Sequence, residues 1–474
     1  MTEKEKKEGL FDNVSPIDYR YREHDLLRYL SEEGFIEQKL NVEEALIVAL
    51  RLFDVCDCPE LYLEFMEARK EITAKEVYAE EKRIKHDIRA LVNCIRKRVS
   101  DGSKPYVHMT ATSFDIVDTA NAARFKKAIE EILLPDLISL EKTLIEIAYR
   151  EAGTIQIGRT HGQHAVPITF GFAIASYVSR LGECILSLKR LNKEQVGKFS
   201  GAVGAYNASS LFVSDPEEFE KCILEELATT EHGIKLKPAE ISTQIVPPEP
   251  TIRIFAELVL IGGVLANLSR DMRHLQRTEI GEVGEEFSDD QVGSSTMPQK
   301  RNPINFENVE SLWKVLVGHL TTVYLNQISE HQRDLTNSAA ERTYPETIAY
   351  LVSMTRRINK TMKKLRVDKA NIQRNFDLQK DLIIAEPLYI ILSALDHPDA
   401  HEKVRQLTLK AQETKNPLQD LAMADNELKP YFEKMSLPQK RIISDPTLYT
   451  GIAEQKAKKV AISWAQKLNL KGCF

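Results

Sequence analysis

The chain has 474 residues, of which 43% are hydrophobic and 28% charged, and 64 Lys and Arg stand against 70 Asp and Glu. The apolar fraction suffices for large cores and excludes global disorder, and the length corresponds to about three structural units of roughly 150 residues. A formal net charge of −6 excludes a general attraction to nucleic acids or acidic membranes, so an anion site has to be built locally. We expect neither a nucleic-acid nor a membrane partner.

The six cysteines are too few and too scattered for a disulfide framework, which indicates a reducing compartment. The amino terminus is charged where a secretory signal would be apolar, and the apolar stretches fall short of the ~20 residues that a membrane span needs. These features predict a cytoplasmic protein.

From the amino terminus, the first ~110 residues predict short helices. Apolar residues then recur at intervals of three and four, as at Ile129, Leu133 and Leu137, which is the period of a helix with one buried face. This pattern predicts long helices over 122–150, 168–192, 251–279, 305–329 and 344–366. Glycine and proline collect between them and predict loops at 153–167, 201–215, 245–250 and 292–303.

Helices of roughly 35–45 Å do not stand alone, so the pattern predicts a long bundle that is extended by association with copies of itself. Further short helices are predicted from Val367 onwards. The expected subunit is therefore all-α, with an amino-terminal helical domain at 1–111, a central long-helix bundle at 112–366 and a carboxy-terminal helical domain at 367–474.

The loop at 293–303 concentrates the groups most suited to chemistry. It combines a glycine, two serines, an amide and the two cations Lys300 and Arg301. Such a loop can bind a carboxylate and stabilise its enolate-like form, but a solvated Gly/Ser loop with exposed cations has the same composition. Composition alone does not decide between the two.

Three stretches in order, 108–119, 158–167 and 293–303, resemble the signatures of the fumarase/aspartase superfamily. Its members eliminate fumarate from succinyl-bearing substrates, and three motifs in order are a stronger signal than any single one. The resemblance implies a three-domain all-α subunit and a homotetramer with a twenty-helix core. It also implies that the three motifs of one chain lie apart and meet only where three subunits contribute to a site, so that an isolated subunit is inactive.

Further residues are similar to those of the branch that acts on succinylated purine nucleotides. Arg333, Ser338 and Arg342 have the offsets of its phosphate-binding segment, and Arg20 and Tyr21 resemble its second phosphate-binding pair. Guanidinium groups suit this task because they bind phosphate oxygens bidentately. The implied reactions of purine biosynthesis convert adenylosuccinate to AMP and fumarate, and the succinylated aminoimidazole carboxamide ribotide (SAICAR) to its amide (AICAR) and fumarate.

A β-elimination needs a base, a cradle for the dianion that forms and an acid for the departing nitrogen. The resemblance implies that Ser294 is the base, activated by nearby cations and amides, that His161 is the general acid and that Lys300 stabilises charge. It further implies a set of substrate-binding residues: Arg20, Tyr21, His86, Asp87, His108, Thr112, Ser113, Thr160, Gln244, Asn302, Arg333, Ser338 and Arg342. No cofactor is implied.

The pair His161 and His164 has a spacing that could suggest a metal site. No carboxylate or cysteine companion lies near it in the sequence, and the implied reaction requires no metal. We expect none.

The chain departs from the superfamily pattern at two places. Phe114 stands where a serine is usual, and the segment 247–250, with three prolines, follows Gln244 where an Arg-Asp pair is usual. Both departures lie near the expected substrate and bear on the identity of the leaving group.

Two alternatives stay open at this point. One is a fumarate-releasing lyase for another succinyl adduct such as argininosuccinate, against which the phosphate-binding residues argue because that adduct carries no phosphate. The other is a non-catalytic helical scaffold, which would have no need of Ser294, Lys300, Asn302 and His161.

Overall fold

The computed structural model describes residues 13–231, 233–286 and 295–473, and within them helices dominate. The all-α prediction is confirmed. In chain order the α-helices are α1 (Leu27–Leu30), α2 (Glu32–Leu52), α3 (Leu61–Glu71), α4 (Ala74–Ile84), α5 (Asp87–Arg96), α6 (Ser113–Ala128), α7 (Leu134–Arg150), α8 (Phe170–Lys193), α9 (Pro216–Glu226), α10 (Glu249–Leu275), α11 (Ile304–Leu325), α12 (Ser338–Glu341), α13 (Tyr344–Lys363), α14 (Lys369–Asp377), α15 (Lys380–Ile383), α16 (Ala385–Ala394), α17 (Ala400–Thr414), α18 (Leu418–Ala424), α19 (Lys429–Lys434), α20 (Leu437–Ser444) and α21 (Ala453–Lys467). Single 3₁₀ turns occur at Pro16–Asp18, His24–Leu26, Lys104–Tyr106, Ser209–Leu211, Leu227–Thr229 and Pro446–Leu448.

The strands form three small two-stranded sheets. Their bounds are β1 (Ile155–Thr160), β2 (Gln163–Thr169), β3 (Val196–Gly197), β4 (Lys237–Pro238), β5 (Val283–Gly284) and β6 (Arg366–Val367). The pairs β1–β2 and β5–β6 are antiparallel and β3–β4 is parallel.

The predicted long helix at 122–150 begins earlier, at Ser113, because Thr112 and Asp115 form a capping box at its start. This arrangement satisfies backbone N–H groups that a helix leaves without partners in its first turn. Between α6 and α7 the chain stays helical but makes one wide π-helical turn, Ile129–Leu133. Ile129 and Leu133 are fully buried in this turn, so the core contact is kept through it.

The predicted loop at 153–167 is wrong, because most of it forms the β1–β2 hairpin. Ile155 pairs with Thr169 and Thr160 with Gln163, which leaves a two-residue turn. A turn of this length requires positive φ at its central residues, and here His161 has φ of +51° and Gly162 +74°. The glycine and proline that suggest a loop are tolerated because a two-stranded sheet has free edges.

The described chain falls into two compact units, each built from separate stretches. The first unit comprises Met1–Leu137, Cys184–Gly263 and Ser311–Arg356, and the second comprises Ile138–Glu183, Val264–Glu310 and Arg357–Phe474. Several of these boundaries fall inside the long helices. The three-part division at residues 111 and 366 stays a prediction.

Each unit has its own apolar core. In the first unit, one large cluster joins α2 to α6 with α9, with Leu46, Phe65 and Leu91 fully buried. In the second unit, a cluster from α16 to α20 centres on Leu388 and Leu418. A smaller cluster of the second unit packs Ile157 of the hairpin against α14 and α15.

Helix α10 is long and apolar enough to cross a membrane by length and composition, contrary to the expectation that every apolar stretch is too short. However, 67% of its most apolar stretch is buried inside the protein, which is the burial of a core helix. Gly262 permits this packing, because a Cβ there would lie 2.9 Å from a methyl group of Leu316 on α11. Gly262 therefore allows α10 and α11 to approach each other closely at this point.

Candidate functional site

The first unit contains a cavity of about 360 Å³. Six of the predicted substrate-binding residues line it: His86, Asp87, Ser113, Arg333, Ser338 and Arg342. They come from three separate parts of the chain, namely the start of α5, the start of α6 and the segment around α12. The positive end of the helix dipole favours anionic ligands, so the starts of α5 and α6 suit their place at such a cavity.

Arg333 is held on one face and on one edge. Its guanidinium carbon lies 3.2 Å from the ring centroid of Phe114, and its Nη1 donates to Gln244 Oε1 at 3.2 Å. Gln244 Nε2 in turn donates to the carbonyl of Ala202 at 3.1 Å. Burial lowers the pKa of Arg333 below its ordinary value. Nearby carboxylates, first that of Asp118, oppose this effect but do not outweigh it. Gln244 therefore contacts a residue that lines the cavity, but it does not line the cavity itself.

Three further residues of the cavity wall were missed by the motif analysis. Lys39 and Arg124 are 6% and 4% exposed, and both lie against the ring of Phe35, with Lys39 Nζ at 4.0 Å and the Arg124 guanidinium carbon at 3.8 Å from its centroid. Arg124 Nε donates to Asn121 Oδ1 at 2.9 Å, whereas the described residues provide Lys39 Nζ with neither a hydrogen bond nor an ion pair. Burial lowers the pKa of Lys39 to about 8. The signal that could have identified Lys39 is a cation within an otherwise buried helical stretch.

The start of α6 is anchored by a buried ion pair. Asp115 Oδ2 accepts the N–H of Thr112 at 2.7 Å, and the other carboxylate oxygen pairs with Lys198, both side chains being fully buried. Burial raises the pKa of Asp115, and the Lys198 ammonium opposes the effect. Thr112 therefore caps the helix and does not line the cavity, whereas Ser113 and Phe114 do.

His108 is paired with a buried carboxylate. Its Nδ1 lies 2.7 Å from Oε1 of Glu43, which is fully buried on α2. Burial alone lowers the pKa of His108, but the charge of Glu43 and the hydrogen bond outweigh it and raise the pKa above its ordinary value. The backbone is left-handed at His108, with φ of +64°, and at Thr110, with +68°. Such backbone conformations cluster at functional sites. His108 does not line the cavity.

Arg20 and Tyr21 also lie outside the cavity lining. Arg20 is exposed near the amino end of the described chain. Tyr21 packs edge to face on Tyr350, with ring centroids 5.9 Å apart. The structure of one chain thus does not bring this pair to the cavity residues.

In the second unit, Thr160 and His161 lie exposed at the end of the β1–β2 hairpin. The strand behind them is anchored by Arg159, which forms an ion pair with the fully buried Glu282. The Glu282 carboxylate also accepts from Gln156 Nε2 at 2.6 Å and from Asn375 Nδ2 at 2.8 Å. The arginine of the second motif is therefore a structural support for the histidine two residues further on.

Lys300 and Asn302 also lie in the second unit, in an open groove that is rich in cations. Arg273 and Arg277 line the same groove. Lys300 is exposed and its backbone N–H donates to the carbonyl of Met297 at 3.0 Å. The predicted base Ser294 lies outside the described residues.

Burial lowers the pKa of His164 on β2, and its Nδ1 is buried without a hydrogen-bond partner in the described chain. Among the described residues, no group of three or more His, Cys, Asp or Glu is placed to hold a metal ion.

Comparison with known proteins shows which families this chain resembles. The family described as "Lyase" matches residues 70–318, and the family described as "Adenylosuccinate lyase C-terminal" matches residues 329–437. The chain is 37% identical over 466 residues to an adenylosuccinate lyase of Pyrococcus horikoshii, with 97% of this chain and 99% of that protein covered. It is 36% identical over 462 residues to one of Methanocaldococcus jannaschii, with 94% and 95% covered.

Solved structures have the same fold. A 3-carboxy-cis,cis-muconate lactonizing enzyme from Pseudomonas putida matches with a TM-score of 0.81 at 25% identity, over 95% of this chain and 98% of that one. A fumarate lyase from Mesorhizobium sp. BNC1 matches with a TM-score of 0.80 at 22% identity, over 93% and 98%, which shows the fold alone.

The fold and the matched families define a lyase of the fumarase/aspartase superfamily. Near-complete coverage of the curated relatives resolves the branch. The chain belongs to the adenylosuccinate lyase family, whose members are carbon–nitrogen lyases.

Proposed function

We propose that the chain releases fumarate from adenylosuccinate, giving AMP, and from SAICAR, giving AICAR, in purine nucleotide biosynthesis. The observation that carries the proposal is the cavity of the first unit, where six residues predicted to bind the substrate meet from three parts of the chain. Its volume of about 360 Å³ lies within the range of small-molecule sites. Fumarate and a nucleotide are the ligands that this site would exchange.

The phosphate binds Arg333, Arg342 and Ser338 in this proposal. Two guanidinium groups beside one cavity can each present a pair of donors to phosphate oxygens, which suits a dianion better than the point charge of a lysine. Arg20 and Tyr21 lie elsewhere in this chain, so a neighbouring subunit would supply them.

The elimination itself uses residues of the second unit and of the signature loop. Ser294 removes a proton from the succinyl methylene carbon, and the C–H electron pair becomes the new C=C bond of fumarate. The C–N bond breaks at the same time or next, and the purine-side nitrogen takes the electron pair and a proton from His161. Lys300 and Asn302 hold the carboxylate on which negative charge develops.

We propose that the site is completed by association into a homotetramer with a twenty-helix core. The six predicted substrate-binding residues that line the cavity belong to the first unit, whereas Thr160, His161, Lys300 and Asn302 belong to the second. Apolar side chains also stand exposed on two long helices: Leu260 on α10 and Val315, Val317, Tyr324 and Leu325 on α11. Exposed apolar surface of this kind marks protein–protein contact. The three-part subunit and a cytoplasmic location belong to the same proposal.

The experiment is fumarate release by the purified protein from adenylosuccinate and SAICAR, with argininosuccinate in parallel and a Ser294→Ala variant as control. We expect turnover of both purine substrates, none of argininosuccinate, and loss of activity in the variant without loss of assembly. No release from adenylosuccinate would overturn the proposed function, and full activity of Ser294→Ala would remove Ser294 as the base.

Subunit sharing has a separate test. Ser294→Ala and His161→Asn chains, each inactive, are unfolded together and reassembled. Mixed tetramers contain sites with an intact serine and an intact histidine from different chains, so activity should return. A mixture as inactive as its parents would contradict shared sites.

A further inference from the structure

Phe114 is the residue at which the chain departs from the superfamily pattern inside its first motif. It is the second residue of α6 and is 8% exposed, packed into the large core of the first unit. Its ring nevertheless forms part of the cavity wall. It therefore joins the rigid core to the surface that would meet the substrate.

The guanidinium of Arg333 lies over the ring of Phe114, with the guanidinium carbon 3.2 Å from the ring centroid. Gln244 Oε1 accepts from Nη1, and within the described chain the remaining guanidinium donors have no hydrogen-bond partner. A cation above an aromatic face is attracted by the ring quadrupole, and this contact uses the face of the guanidinium without consuming its in-plane donors.

We propose that Phe114 is a positioning residue that holds the Arg333 guanidinium so that its unused edge meets the phosphate of the nucleotide. This inference rests on the proposed function, because it assigns a support to the phosphate-binding arginine. A phosphate accepts two parallel hydrogen bonds from the edge of a guanidinium, so the plane of the group decides whether both form. Phe114 supports the face and Gln244 holds one edge, which lowers the ordering cost of binding.

A serine at this position would offer no face to the guanidinium. The aromatic replacement therefore does not indicate a different leaving group. It lies at the phosphate end of the substrate and strengthens selection for phosphorylated succinyl adducts.

The test compares the wild type with Phe114→Leu, Phe114→Met and Phe114→Tyr. For the Leu and Met variants we expect the KM for adenylosuccinate and the Kd for AMP to rise about three- to thirtyfold, the range of a partly buried cation–π contact. The kcat should change less than about twofold. Phe114→Tyr keeps the aromatic face and should return both constants to near the wild-type values.

Phe65→Leu is the matched control, because Phe65 is fully buried in the same core and does not line the cavity. It should lower stability and leave the KM unchanged. The second control is succinyladenosine, which lacks the phosphate, so its kcat/KM should be the same in the wild type and in Phe114→Leu.

A double-mutant cycle decides whether Phe114 acts through the arginine. In an Arg333→Leu background, Phe114→Leu should add less than about twofold to the KM, since the supported group is gone. An unchanged KM in Phe114→Leu, an equal effect on succinyladenosine, or a full additional effect without Arg333 would each overturn the positioning role. Failure of the wild type to turn over adenylosuccinate would instead overturn the proposed function.

Discussion

Asp118 on α6 supplies a prediction whose size follows from its surroundings. Its Oδ2 accepts the backbone N–H of Val246 at 2.9 Å, beside a second small cavity that Glu341 also lines. Burial raises the pKa of Asp118 to about 7, and the charge of Glu341 adds to the effect, while the hydrogen bond from Val246 opposes it. The change considered is Asp118→Asn, which keeps an acceptor for Val246 and cannot ionise.

The sign of the pH dependence follows from proton binding in the two states. Between the ordinary aspartate value of 3.8 and about 7, the folded protein holds a proton at Asp118 that the unfolded chain has released. The free energy of unfolding of the wild type therefore falls by about 1.4 kcal/mol for each pH unit in this window. The full loss is about 4 kcal/mol, and above pH 7 this contribution is constant.

The assay is urea denaturation of the wild type and Asp118→Asn at pH 5, 6, 7 and 8, followed by circular dichroism. The stability of the variant relative to the wild type should grow by about 2–3 kcal/mol from pH 5 to pH 7 and then level off. Asp381→Asn, which changes an exposed carboxylate, is the matched control. A difference between wild type and Asp118→Asn that is the same at pH 5 and pH 8 would refute the reasoning.

Three further changes have expected outcomes. Glu43→Gln should destabilise the protein more at pH 6 than at pH 9 in the same urea assay: the raised pKa of His108 stabilises the fold fully below about 6.5, and this is lost as pH rises through the folded value. Equal losses at both pH values would contradict the pairing. Glu282→Ala should cost the hairpin about 3–5 kcal/mol, because Arg159 loses its buried carboxylate. Hydrogen exchange of the hairpin amides measures this, and unchanged protection would argue against the anchor. Arg333→Leu should raise the KM for adenylosuccinate about 10- to 100-fold, the loss of a charged hydrogen bond to phosphate. An unchanged KM would remove the phosphate assignment.

Helical periodicity predicted the long helices well, since a strong repeat over twenty residues leaves few alternatives. It failed at the β1–β2 hairpin, because Gly158 and Pro167 interrupt the alternation of each strand. The two-residue turn also places a histidine at positive φ, where glycine or asparagine would be the usual signal. Short strands with such interruptions are therefore not recognised from the alternation of apolar and polar residues.

Motif resemblance found the cavity residues that lie in contiguous signatures, such as Ser113 and Arg333. It could not find Phe35, Lys39 and Arg124, because these residues belong to no motif and meet only through the packing of α2 against α6. Their role depends on tertiary contacts between distant parts of the chain. The predicted role of Ser294 stays a prediction.

The π-helical turn Ile129–Leu133 has a consequence for how the chain can vary in length. A π turn closes its hydrogen bonds over one residue more than an α turn, so it is equivalent to a single inserted residue within an otherwise regular helix. Ile129 and Leu133 remain buried, while the surplus is taken up at the exposed Glu130 and Glu131. Removing one residue here should restore an unbroken α-helix, with the side chains before and after it keeping their present neighbours. Homologous chains can therefore differ by one residue at this point of the helix, and a sequence alignment would show a gap that leaves the cavity untouched.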